Sequence, residues 1–214
     1  MMRPRHLSGH TVTVTYRDPT TGHAERTPPA RNGRPAARAL AAVCATLFGV
    51  AASAYTPSED IVRLMNHGVG LMEQYRFTDA VATFGEVADR APDWPLAHLN
   101  LGIAYLNAVS DPDKPGSPLD SAGVEFARAA ELDPTMPNPH YCLGMLKRYR
   151  GKMDEAAAHF ARVLELSPGH ADSLYFLGQM RLSDGKPEEA EVILRQAIDA
   201  NPYLLSAHYS LSQA

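Results

Sequence analysis

The chain holds 214 residues, 45% hydrophobic, 21% charged and 7% aromatic, a balance that excludes both a wholly disordered chain and a polytopic membrane protein. The net charge of −4 conceals two unlike parts: residues 1–54 carry seven Arg against Asp18 and Glu25, a charge of +5, and residues 55–214 carry four Lys and nine Arg against 22 acidic side chains, a charge of −9. A basic leader precedes an acidic body, and the body's sign argues against nucleic acid as its partner.

Residues 1–38 are rich in Arg, Pro, Thr and Gly and show no sustained apolar period. Residues 11–16 alternate like a strand but have no pairing partner nearby, so the leader reads as disordered. Arg31, Arg34 and Arg38 then flank an uncharged run, residues 39–54, that closes on Ala52-Ser53-Ala54. A positive flank, a short apolar core and a small-x-small end are the parts of a secretory signal. The run is 16 residues long. As a helix it reaches about 24 Å, short of the ~30 Å hydrocarbon core. Three readings stay open: a signal peptide cleaved after Ala54, a retained single membrane anchor with its Arg side inside, and a buried cytosolic helix. The first two place the body in the periplasm, outside the cell or on the inner membrane. Cys44 lies in this run, so the body keeps Cys142 alone, and one thiol makes no internal disulfide.

The body, residues 55–214, repeats itself. Segments 61–94, 95–136, 137–170 and 171–204 align, and residues 205–214 begin a fifth unit. Gly68, Gly102, Gly144 and Gly178 recur at position 8. Ala80, Ala122, Ala156 and Ala190 recur at position 20, and Phe84, Phe126, Phe160 and Leu194 at position 24. Pro92, Pro134, Pro168 and Pro202 close the units at position 32. Three units have 34 residues, and the second carries eight more around 110–117. The spacing predicts two helices per unit. Small residues at positions 8 and 20 let the pair approach closely, the bulky residue at 24 fills the space between pairs, and Pro at 32 stops the second helix. Gly151 and Gly185, both at position 15, predict left-handed turns. Thr56, Pro57 and Glu59 predict a capped start to the first helix at Pro57, and Ser117 with Pro118 predicts another.

This period and these marks resemble the tetratricopeptide repeat family. The resemblance implies an all-α fold, an α-solenoid of antiparallel helix pairs wound as a right-handed superhelix. It also implies a concave groove lined by the first helix of each pair, and with it a non-catalytic scaffold or assembly factor that holds a protein or peptide. Carried onto this sequence, the groove positions give Met65, Val69, Met72, Leu99, Ile103 and Leu106 as an aliphatic amino-terminal half. Tyr141, Met145, Arg148, Tyr149, Tyr175, Gln179 and Tyr209 give a carboxy-terminal half of Tyr and amides with one Arg. The Tyr row either meets a partner or packs against the next first helix. Some family members clamp acidic peptide ends with Lys, Asn and Arg. The corresponding positions are Met65, Val69, Asn100, Asn138 and Cys142, where only Asn100 fits, so no carboxylate clamp for chaperone tails is expected.

No catalytic, cofactor or metal site is expected. The chain has no HExxH, no CxxC pair, no phosphate-cradling Gly-rich loop and no nucleophile elbow. His98, His140 and His208 share position 4 in different units, where they read as core histidines rather than converging ligands. Asp111 and Asp113 fall short of a calcium loop. The basic cluster from Lys147 to Lys152 sits at a helix carboxy terminus, which favours its charge, and suits an acidic segment of a partner better than nucleic acid. The fifth unit breaks off after ten residues. It is either a minimal cap or the start of further sequence in a larger exported product.

Overall fold

The computed structural model describes residues 56–108 and 117–214. The leader, the apolar run 39–54 and the inserted loop up to Ser117 lie outside the described residues. Within them the structure is helical throughout, with no strand. The helices are α1 (Glu59–Glu73), α2 (Phe77–Arg90), α3 (Pro95–Asn107), α4 (Pro118–Leu132), α5 (Pro137–Tyr149), α6 (Met153–Leu166), α7 (Ala171–Ser183), α8 (Pro187–Ala200) and α9 (Leu205–Leu211). Each packs on the next in chain order, and α9 also touches α7. The body is therefore an all-α solenoid of helix pairs.

The repeated marks explain the pairing. Phe84, Phe126, Phe160 and Leu194 are fully buried, as are Ala80, Ala122, Ala156 and Ala190. Each position-24 side chain lies against the position-8 Gly of the same pair: a Cβ on Gly102 would stand 2.5 Å from Phe126 Cε1, and one on Gly178 would stand 2.7 Å from Leu194 Cγ. Gly within a helix costs about 1 kcal/mol against Ala. Burying each Phe returns about 1.5–3 kcal/mol, so close approach wins. Val87, Ala129, Val163 and Ala197 complete the buried stripe of the second helices.

The turns within pairs follow one geometry. Gly151 and Gly185 take φ of 73° and 72°. The next residue donates back across the turn: Lys152 N to the Lys147 carbonyl and Lys186 N to the Arg181 carbonyl, each at 2.9 Å. In the first unit Tyr75 holds the same place at φ 59°, with Arg76 N donating to the Leu71 carbonyl at 2.9 Å. Pro92, Pro134, Pro168 and Pro202 lie just past the ends of α2, α4, α6 and α8, where a chain lacking the amide N–H leaves the helix.

Helix starts divide into one expected and one corrected. Ser117 caps α4, its Oγ accepting from Leu119 N at 3.4 Å, with Pro118 first in the helix. The expected start at Pro57 is displaced: α1 opens at Glu59, with Ser58 as the flanking residue and no side-chain capping bond. Glu59 and Asp60 in its first turn complement the helix dipole instead.

Candidate functional site

The groove residues divide by exposure along the chain. In the amino-terminal half, Met65 and Leu99 are fully buried, and Val69 and Met72 nearly so. Met65 Sδ accepts from Asn100 Nδ2 at 3.2 Å, so the one residue matching the clamp pattern is itself buried and points at a thioether. Leu99 belongs to a core cluster with Ala122, Phe126, Ala129 and Leu143, and Ile103 and Leu106 pack against it. The aliphatic half therefore offers little open surface.

In the carboxy-terminal half the Tyr row is graded. Tyr141 packs among Phe160, His170 and Phe176, with ring centroids 6.0, 5.0 and 6.5 Å away. Burial pushes its phenol far above the ordinary value. Tyr175 is half-buried against Phe176, centroids 5.0 Å apart. Tyr149 and Tyr209 stand exposed. Met145 is half-buried.

Between α5, α7 and α9 lies a cleft of about 300 Å³, lined by Arg148, Phe176, Gln179, Ser183, Ser210 and Gln213, with Met153, Met180, Leu182 and Asp184 at its sides. It brings together two of the groove residues expected from sequence, Arg148 and Gln179. Tyr141, Met145, Tyr149, Tyr175 and Tyr209 lie outside its lining. Its floor is Phe176, stacked on the core ring of Phe160 at 5.2 Å and 20°. The Arg148 guanidinium lies over the Phe176 ring, 4.5 Å from its centroid. Gln179 Nε2 reaches Ser210 Oγ at 3.5 Å, which spans α7 and α9. Phe176 and Ser210 were not among the expected site residues. Phe176, Gln179 and Ser183 follow i, i+3, i+7 spacing on one face of α7, the pattern by which they are readable.

The basic cluster resolves into pairs and one exception. Lys147 binds Glu155, as does Lys152 at 2.9 Å. Together they hold the Glu155 carboxyl down at about 2. Arg150 crosses to Asp120 of α4. Arg148 makes no ion pair with any described residue.

The position-4 histidines do not converge. His98 is largely enclosed, its Nδ1 2.7 Å from Glu125 and its Nε2 2.9 Å from the Pro92 carbonyl. His208 makes the equivalent bond to the Pro202 carbonyl at 2.9 Å. It stands exposed rather than in the core. His140 is half-buried with Nδ1 unbonded, while Arg162 reaches the Pro134 carbonyl instead. Among the described residues no group of three or more His, Cys, Asp or Glu is placed to hold a metal ion, and no helix is long and apolar enough to cross a membrane.

A family model described as tetratricopeptide repeat matches residues 65–137 and 141–204. No curated protein sequence matches the chain. Among solved structures, it is similar to MamA 41-end from Desulfovibrio magneticus RS-1, with TM-score 0.61, 19% identity, and 74% of this chain and 85% of that one covered. It is similar to a thermophilic tetratricopeptide protein of Thermus thermophilus, with TM-score 0.60, 19% identity and coverage of 72% and 81%. The first tetratricopeptide domain of Spaghetti, bound to the HSP90 peptide SRMEEVD, is similar with TM-score 0.53, 19% identity and coverage of 62% and 98%. At these identities the likeness is one of fold.

Proposed function

Because the chain belongs to the tetratricopeptide repeat family, we propose that it is a non-catalytic scaffold that holds a peptide or protein segment in the cleft between α5, α7 and α9. The observation that carries this reading is the cleft itself: about 300 Å³ of open space between first helices, floored by an aromatic ring and edged by an Arg, two amides and hydroxyls. Such a mixture supplies apolar area with a few placed polar groups, as peptide sites do. The related fold of Spaghetti holds a peptide, which supports the same use here. The Arg-flanked apolar run of 39–54 supports action outside the cytoplasm, as an assembly factor of the envelope or of an exported complex.

Site-specific photo-crosslinking tests the site. A benzophenone amino acid at Gln179 or at Gln213, both on the cleft lining, in the full chain in native cells, is expected to give discrete adducts. The same probe at Val192, exposed on the outer helix α8, is expected to give none. Equal adducts from Val192 would move the binding surface off the cleft. The mass of the mature amino terminus tests the location: a cytoplasmic pool that keeps its leader would overturn export.

A further inference from the structure

We propose that Arg148 is an anchor for a single carboxylate, so that the cleft selects peptides carrying one acidic group among uncharged residues. This rests on the peptide-binding reading above and names the chemistry of its ligand. Three observations carry it. First, Arg148 is the only described Lys or Arg without an ion pair. Arg63, Arg76, Arg90, Arg128, Lys147, Arg150, Lys152, Arg162, Arg181, Lys186 and Arg195 each have a carboxylate partner. In a body of charge −9, leaving one cation unpaired is the exception.

Second, the guanidinium rests against the aromatic core. It lies 4.5 Å above Phe176, and Phe176 lies stacked on Phe160, which is wholly buried. The ring thus holds the cation by a cation–π contact, and its N–H groups make no ion pair with a described residue. A guanidinium so placed suits bidentate carboxylate binding, which an ammonium does not reproduce. Third, it borders the cleft that is open to a ligand. The acid on that cleft, Asp184, is turned to Arg181 at 3.3 Å.

Charge sets the limit on the ligand. The acidic body repels polyanions, so one carboxylate amid neutral or apolar residues fits better than an acidic run. The anchor also differs from the family's clamp: those positions hold Met65, Val69, Asn100, Asn138 and Cys142, none of them Arg148. The carboxylate can come from an Asp or Glu side chain or from a peptide carboxy terminus.

The test uses the full chain and three pools of random synthetic octapeptides: neutral with amidated ends, neutral with free carboxy termini, and amidated with one Asp or Glu. The wild-type chain is expected to retain at least one carboxylate pool about tenfold better than the neutral amidated pool. Which pool it favours identifies the source of the carboxylate. Arg148→Gln, checked for unchanged helicity, is expected to retain all pools equally, and Arg148→Lys to keep part of the preference. A wild-type chain that binds all pools alike, or a preference that survives Arg148→Gln, overturns the anchor and leaves the cleft as a peptide site. Retention of no pool overturns both.

Discussion

Gly144 lies directly under the ring of Phe160: a Cβ at Gly144 would stand 2.8 Å from Phe160 Cε1 and 3.0 Å from Cδ1. Since Phe160 is wholly buried and also carries Phe176, the ring has nowhere to retreat. Gly144→Ala is therefore expected to destabilise the chain. The overpacking costs about 1–3 kcal/mol, and the better helix propensity of Ala returns about 1 kcal/mol. Gly70, in α1, meets nothing within 4 Å, so Gly70→Ala is expected to gain about 0.5–1 kcal/mol. Urea unfolding followed by helicity checks both, and two substitutions of the same sign would refute the close-packing account of position 8.

Tyr75 occupies the turn position that Gly151 and Gly185 fill in other units, at φ 59°. A side chain in the left-handed region costs about 1–2 kcal/mol that Gly avoids. The Tyr ring recovers part of this by standing edge-on to Phe77, centroids 6.0 Å apart at 80°, an arrangement worth about 0.5–1.5 kcal/mol. Tyr75→Gly is expected to be neutral to stabilising, by up to about 1 kcal/mol. Tyr75→Ala keeps the strain and loses the ring, and is expected to be less stable than wild type. Melting temperatures in the order Gly above Ala check the argument; the reverse order removes it.

The fold was legible because its determinants are local and repeated. Gly102 with Phe126, or Gly144 with Phe160, pairs residues sixteen or more apart within one unit, and each pair recurs in phase. The site was legible only in part, because its members are decided by what packs on them. Met65 and Leu99 share position 5 with Tyr209, yet the first two are wholly buried and the last is exposed. Neighbouring helices, not the position, set that difference. Phe176 was missed because its position 6 varies freely, holding Asn66, Asn100, Cys142 and Ser210 in the other units. Arg148 was visible as a groove position and as one member of a basic cluster, but not as an unpaired cation. Its distinction appears once Lys147, Arg150 and Lys152 are seen to reach Glu155 and Asp120.

Ser173 sits at position 3 of its unit, fully buried, with its Oγ making no hydrogen bond. Ala97 and Ala207 hold the same position in α3 and α9, equally buried. An unpaired buried hydroxyl costs about 1–3 kcal/mol, and its backbone N–H keeps its bond to His170 Nδ1 at 3.2 Å whatever the side chain. Ser173→Ala is expected to stabilise the chain by about 1 kcal/mol and raise the melting temperature by a few degrees. A fall in melting temperature would show that the hydroxyl is paired in solution.

His98 gives the body a pH dependence with a definite sign. Its two ring nitrogens face two acceptors, Glu125 Oε2 and the Pro92 carbonyl, and both bonds form only when both nitrogens carry protons. The hydrogen bond to Glu125 raises the His98 pKa above 6.5 against the opposing effect of burial. A raised folded value means the folded state holds the proton more tightly. The stabilisation is complete below pH 6.5 and is lost as pH rises through the folded value. His140 and His159 act the other way. Burial is the first cause of lowering in both, reinforced by Arg162 for His140 and by His140 for His159. Their contribution is complete above pH 6.5 and is lost as pH falls through the folded values. His98→Gln should therefore cost more stability at pH 5.5 than at pH 8.5, and stability of that variant should rise more steeply with pH than wild type between the two. Urea midpoints measured at both pH values decide it: a cost that is equal at the two, or larger at pH 8.5, would show that the His98–Glu125 pair does not hold its extra proton.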